Sequence, residues 1–189
     1  MSNKAFFLDR DGTINEDRGY ISNINDVYIY PRSIEALKII KSKGYLIIIV
    51  TNQAGIAMGL MTKKKVEEVN SHIIRDISKE GINIDALYYC PYHPTKGKNK
   101  YKKESNFRKP EPGMLIKASR DFKIDLNSSY MIGDKISDIE AGKKAGCKTV
   151  LVKTGFGEKS LEHLKFSELK PEYVCDDLYD AIEKIFKKR

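Results

Sequence analysis

Apolar residues in this chain fall into short runs separated by segments with helical spacing. Ala5–Leu8 is a short continuous apolar run of strand length, and Tyr45–Val50 is the longest strong one. Continuous runs of this size fit strands buried on both faces of a parallel sheet. Between them, Ser33 to Lys43 sets Ile34, Leu37 and Ile40 or Lys41 at helical spacing, with Gly44 as a stop. Thr62 is an N-cap for a helix that lines up Val66, Val69, Ile73 and Ile77 and ends near Gly81. Asp85–Cys90 reads as a third strand, a helix runs from about Pro112 to Phe122, and Ser129–Ile132 is a fourth strand. Ser137 and Glu140 match a capping box that opens a helix stopping at Gly146. Thr149–Val152 is a fifth strand, Tyr173–Cys175 a short sixth, and Leu178–Phe186 a final helix.

This alternation predicts an α/β fold: a Rossmann-like, mostly parallel central sheet with helices on both faces. The 189 residues suffice for one domain spanning 1–189. In such sheets ligands bind beyond the carboxyl ends of the strands, so the chemistry is sought there.

Composition narrows the classes. No apolar run approaches the length of a membrane span, and Asp9 interrupts the N-terminal run too early for a signal peptide. Cys90, Cys147 and Cys175 form no C-x-x-C pair, which fits a reducing cytoplasm. The net charge is +8, and residues 90 to 113 hold seven basic against two acidic residues, a local +5. A concentrated positive field attracts polyanions. A solvated lysine-rich loop is the plainer explanation.

The strand ends carry candidate chemistry. Asp9 and Asp11 follow the first strand, two residues apart, and face one side while the chain stays extended. Such a pair repels itself unless a cation or a proton intervenes, and a hard ion such as Mg²⁺ suits it. Gly12 permits a sharp backbone path. Thr51 and Asn52 end the second strand, Asp134 and Asp138 follow the fourth, and Lys109 lies in the long segment after the third. Each alone is as well explained by a turn or a solvated side chain. Together they supply a nucleophile, a hydroxyl, a cation ligand and a lysine, the set that phosphoryl transfer through a carboxylate needs.

DRDGT at 9–13, TNQ at 51–53, RKP at 108–110 and GDKISD at 133–138 resemble the four ordered motifs of the haloacid dehalogenase (HAD) superfamily of phosphohydrolases. DRGY at 17–20, TNQAGIAMG at 51–59, YYCPYHP at 88–94 and RKPEPGM at 108–114 further resemble its heptose-bisphosphate phosphatase branch, with histidinol-phosphate phosphatases as near relatives. The resemblance implies a HAD fold without a large cap domain and a Mg²⁺-dependent phosphatase acting on a small sugar bisphosphate. It implies Asp9 as nucleophile, Asp11 as general acid and base, and Thr51 and Lys109 as partners of the transferring phosphoryl group. The Asp9 and Asp134 carboxylates and the Asp11 carbonyl would hold Mg²⁺, with Asp138 organising them from behind. Substrate contacts would come from Asp17, Arg18, Gly19, Tyr20, Asn52, Gln53, Ala54, Arg108 and Lys135, with Arg108 on the distal phosphate.

Relatives of this kind often carry structural zinc on Cys-x-His and Cys-x-Cys pairs in the long loop. Here Cys90 stands in register, but Tyr92, Ser105 and Phe107 occupy the other three places, and His93 is one place off. Structural zinc takes four protein ligands, so no structural Zn²⁺ is expected. The loop is instead expected to hold by packing of Tyr92, Tyr101 and Phe107. The expected protein is a cytoplasmic monomer without membrane or nucleic-acid partners. The competing functions are a histidinol-phosphate phosphatase, a nucleic-acid 3′-phosphatase and a non-catalytic phosphosugar-binding protein.

Overall fold

The computed structural model describes residues 2–97 and 99–187, and Lys98 of the basic segment lies outside them. Six strands form one parallel sheet: β1 (Ala5–Leu8), β2 (Leu46–Asn52), β3 (Ala86–Cys90), β4 (Tyr130–Gly133), β5 (Lys148–Val152) and β6 (Tyr173–Cys175). Their spatial order is β3-β2-β1-β4-β5-β6. Phe7 of β1 lies opposite Ile48 of β2 on one side and Met131 of β4 on the other. The chain builds outward from β1 to β3, then returns across the sheet to β4. The carboxyl ends of β1 and β4 therefore flank the switch point, where an open α/β sheet has a ready crevice.

The continuous apolar runs are explained by two cores. Phe6, Leu8, Ile47, Ile49, Ile132, Val150 and Val152 point to one face. There they meet α1 (Pro31–Ser42), α2 (Lys63–Lys79) and α6 (Leu178–Lys187) through residues such as Leu37, Ile73 and Ile182. Ala5, Phe7, Ile48, Val50 and Met131 point to the other face, against α3 (Gly113–Phe122) and α4 (Ile136–Ala145). Phe6 stacks on Tyr130 of the neighbouring strand, ring centroids 5.1 Å apart. Truncating so buried a ring costs about 3–5 kcal/mol.

As expected, Thr51 and Asn52 end β2, where strand pairing with β3 fixes both positions. Two local features differ from the sequence expectation. α4 begins at Ile136, which puts Ser137 inside its first turn instead of at its cap. The carboxylate of Asp138 accepts from the Lys135 N–H at 3.0 Å and takes the role assigned to Glu140. A further helix, α5 (Gly157–Leu164), lies between β5 and β6 and buries Leu164 against Ile139 and Leu151. Among the described residues no helix is long and apolar enough to cross a membrane.

Candidate active site

β1 ends directly beneath the crevice. The N–H of Asp9 continues the β1–β4 ladder by donating to the Ile132 carbonyl at 3.0 Å, which fixes the residue at the switch point. Lys109 arrives from the loop after β3. Its Nζ stands 2.9 Å from Asp9 Oδ1 and 2.7 Å from Asp138 Oδ1, and donates to the Val50 carbonyl at 2.7 Å. Asn52 holds the backbone of Lys109 in both directions, donating to its carbonyl at 2.9 Å and accepting from its N–H at 3.1 Å. The Asn52 side chain is thus a clasp for Lys109, a role the sequence does not suggest.

Burial alone would raise the carboxyl of Asp9, but Lys109 and then Lys135 outweigh it and hold it below the usual range. Burial likewise works against the Lys109 ammonium, and Asp138 and Asp9 overcome it, so Lys109 stays charged. Asp134 is the opposite case. Burial, joined by the nearby Asp9 charge, pushes its carboxyl up to about 8. Its Oδ2 accepts from the Phe156 N–H at 2.8 Å, whereas its Oδ1 is buried with no hydrogen bond and lies 3.6 Å from Lys135 Nζ.

Asp9, Asp134 and Asp138 each present an oxygen, all within 4.8 Å of one another. Three buried carboxyl groups, one with an oxygen that makes no hydrogen bond, form an oxygen-only donor set of the kind Mg²⁺ takes. The residues fit that ion. The packing leaves room for the carboxylates and little else. Gly12 holds φ +83°, and a Cβ there would come within 2.2 Å of Asp134 Oδ2. A Cβ on Gly133 would meet Asp138 Oδ2 at the same distance.

The Asp11 side chain stands outside this carboxylate cluster. Arg10, wholly buried, grips it through Nε at 3.1 Å and Nη2 at 2.9 and 2.8 Å. Asn15 and Gln53 add donors to its two oxygens, each at 3.0 Å. Gln53 also donates to Thr51 Oγ1 at 3.0 Å, which ties the hydroxyl at the β2 end to Asp11. Asn70 on α2 accepts from Arg10 Nη1 at 2.6 Å. Arg10, Asn15 and Asn70 carried no signal in the sequence reading. Nothing local marks a buried arginine whose anchor lies 60 residues away.

Above these groups opens a cleft of about 660 Å³. Asp17, Gly19 and Tyr20 line it from the loop after β1, Gln53 and Ala54 from the loop after β2, and Arg108 and Lys135 from the remaining sides. Lys135 Nζ bonds Asp17 Oδ2 at 2.9 Å and sits 5.0 Å from the Phe156 ring centre. Arg18 is the exception. It pairs with Glu16 at 2.6 Å on the exposed side of its loop and does not line the cleft. Phe156, His93 and Pro94 also line the cleft and were not foreseen.

In the long loop, Tyr92 and Phe107 pack on the core that contains Cys90, and Tyr101 packs on the small cluster of Ile56, Met61 and Val66. His93 Nδ1 accepts from the Lys96 N–H at 2.9 Å, and its own N–H donates to the Tyr101 carbonyl at 3.1 Å. Arg108 donates through Nη1 to the Tyr92 carbonyl at 3.1 Å, so the packed loop also orients the guanidinium.

Known proteins resemble this chain in sequence and in fold. A HAD-hydrolase-like family model matches residues 106–181. A D-glycero-D-manno-heptose-1,7-bisphosphate 7-phosphatase of Chlorobaculum tepidum is 41% identical over 187 residues, covering 96% of this chain and 93% of that protein. A D-glycero-beta-D-manno-heptose-1,7-bisphosphate 7-phosphatase of Pasteurella multocida is 46% identical over 153 residues, covering 80% and 83%. Among solved structures, the D,D-heptose 1,7-bisphosphate phosphatase of B. bronchiseptica, complexed with magnesium and phosphate, superposes with a TM-score of 0.85 at 29% identity, covering 98% of this chain and 99% of that one.

Proposed function

Because this chain belongs to the heptose-1,7-bisphosphate 7-phosphatase family of the HAD hydrolases, we propose that it is a magnesium-dependent phosphoric monoester hydrolase that removes the 7-phosphate of D-glycero-D-manno-heptose 1,7-bisphosphate. One observation carries the chemistry: at the switch point an ionised Asp9 is paired with Lys109 while Asp134, a few ångströms away, has a buried oxygen with no hydrogen bond. The Asp9 and Asp134 carboxylates and the Asp11 carbonyl would hold Mg²⁺, which when bound offsets the repulsion between carboxylate and phosphate.

Asp9 attacks the phosphorus of the 7-phosphate, and the bond from phosphorus to the sugar oxygen breaks. Asp11 gives that oxygen its proton, then takes one from the water that hydrolyses the aspartyl-phosphate and frees Asp9. The Thr51 hydroxyl and the Lys109 ammonium offset charge on the transferring phosphoryl oxygens. Asp138 keeps Lys109 aimed, and Asn52 keeps its backbone in place. Arg108 meets the 1-phosphate, for which a planar guanidinium suits. Asp17, Gly19, Tyr20, Gln53, Ala54 and Lys135 shape the sugar site. Arg18 is left out of this set, since it points to Glu16.

The enzyme acts as a cytoplasmic monomer in this account, and light scattering of the purified protein checks its mass. Asp9→Asn tests the mechanism. It removes the nucleophile without changing side-chain volume, so phosphate release falls to background while the thermal transition persists. Substantial turnover by purified Asp9→Asn would sink the assignment.

A further inference from the structure

The family's chemistry explains Asp11 but not the cation that holds it. Arg10 is the largest wholly buried side chain among the described residues. A buried charge persists only where it is paired and its donors are satisfied. Two of its three nitrogens go to Asp11, as a fork on both carboxylate oxygens. The third, Nη1, goes to Asn70 Oδ1 at 2.6 Å. Asn70 sits on the inner face of α2, between the buried Val69 and Ile73 of the main core, and is itself 5% exposed. Its Nδ2 has no hydrogen-bond partner, so Asn70 serves this contact through its acceptor oxygen alone.

We infer that Arg10 and Asn70 are positioning residues for Asp11: Arg10 aims the Asp11 carboxylate, and Asn70 fixes Arg10 to helix α2. A guanidinium fork sets both the place and the plane of a carboxylate, which a point charge cannot do. Without the Asn70 oxygen, Nη1 is stranded in the interior and the fork must turn to find a partner. Asp11, held by the fork on both oxygens, turns with it and leaves its place in the cleft wall. The inference rests on the acid–base role proposed above for Asp11.

The test is steady-state kinetics on heptose 1,7-bisphosphate with Mg²⁺. Asn70→Leu keeps the branched shape and removes the acceptor; kcat should fall about 10- to 100-fold, the scale of a misplaced reacting group. KM should stay within about twofold, because ground-state contacts to substrate are untouched. Asn70→Asp keeps the acceptor and should return kcat to within about threefold of wild type, since only the oxygen is used. A merely structural role would lower the folded fraction of both variants and leave kcat per folded molecule unchanged. Wild-type kcat in Asn70→Leu, or an equal loss in folded Asn70→Asp, would overturn the inference. If Asn70→Leu does not fold, Arg10→Lys, which keeps the charge but not the fork, replaces it, and wild-type kcat there is the contrary result. Asp11→Asn run beside them separates the two claims. Full turnover in Asp11→Asn defeats the acid–base role itself, whereas an inactive Asp11→Asn with a fully active Asn70→Leu removes the clamp alone.

Discussion

At the residue scale, Lys109 joins the most demands in one side chain. It bridges Asp9 and Asp138, is almost fully buried, and owes its place to the Asn52 clasp. Lys109→Met keeps the length of the side chain and removes the charge, leaving two buried carboxylates facing each other. Breaking a buried pair in this way costs about 3–5 kcal/mol. Urea denaturation should show a lower midpoint of that size, together with loss of phosphate release. A stable but inactive Lys109→Met would limit the lysine to catalysis, and an active one would contradict its role. The sequence made Asp9, Thr51, Lys109 and Asp134 legible because each ends a recognisable strand or stands in a motif beside one. Arg10 was hidden in plain view inside DRDGT: its importance depends on burial and on Asn70, neither of which has a local signature. Arg18 stands in a motif too, yet its side chain pairs with Glu16 outside the cleft. A motif marks a segment, but which way each side chain points depends on the surrounding structure.

At the element scale, the strands were readable because runs such as Tyr45–Val50 are too apolar to be anything but buried on both faces. Helix α5 was not, because residues 157–164 offer only Leu161 and Leu164 as apolar positions. Its place is set from outside, by Leu164 on Ile139 and Leu151 and by the Ser160 hydroxyl, which donates to the Asp134 carbonyl at 2.8 Å. The start of α4 was shifted because Asp138, not the Ser137 pattern, supplies the cap interaction.

The approach to β6 makes a pH-dependent prediction. Glu172 accepts from the Thr149 N–H, from the Thr149 hydroxyl at 2.9 Å and from Lys143 Nζ at 2.6 Å. Burial pushes its carboxyl up, but Lys143 and the Thr149 donors outweigh it and the net position is below the ordinary value of 4.5. A carboxyl lowered in the folded state adds stability that is present above its unfolded value and is lost as pH falls through the folded one. Glu172→Gln should therefore destabilise by about 1–3 kcal/mol at pH 7, the scale of hydrogen bonds to a charged group. The gap from wild type should narrow as pH falls below the ordinary value of 4.5 and close once Glu172 is protonated in the folded state. Equal destabilisation at pH 7 and pH 3 would show that lost packing, not charge, is responsible.

At the scale of the whole molecule, the sheet order brings Asp9, Lys109, and Asp134 with Asp138 together from three places in the chain around one crevice. With all three carboxyl groups ionised, their charges do not balance without a cation. Mg²⁺ binding only to the folded state should raise the melting temperature, and chelation should reverse the rise. Asp134→Asn should lose most of that shift, and an undiminished shift in Asp134→Asn would move the ion elsewhere.

The most direct test of the central claim is a phosphate-release panel on the purified protein. It comprises both anomers of D-glycero-D-manno-heptose 1,7-bisphosphate, histidinol phosphate and a 3′-phosphorylated oligonucleotide, each with Mg²⁺ and with EDTA. The account predicts rapid release of one phosphate, the 7-phosphate, from a heptose bisphosphate, only with Mg²⁺, and little release from the other two substrates. Preferred release from histidinol phosphate or the oligonucleotide, or release from the heptose that survives EDTA, would contradict it.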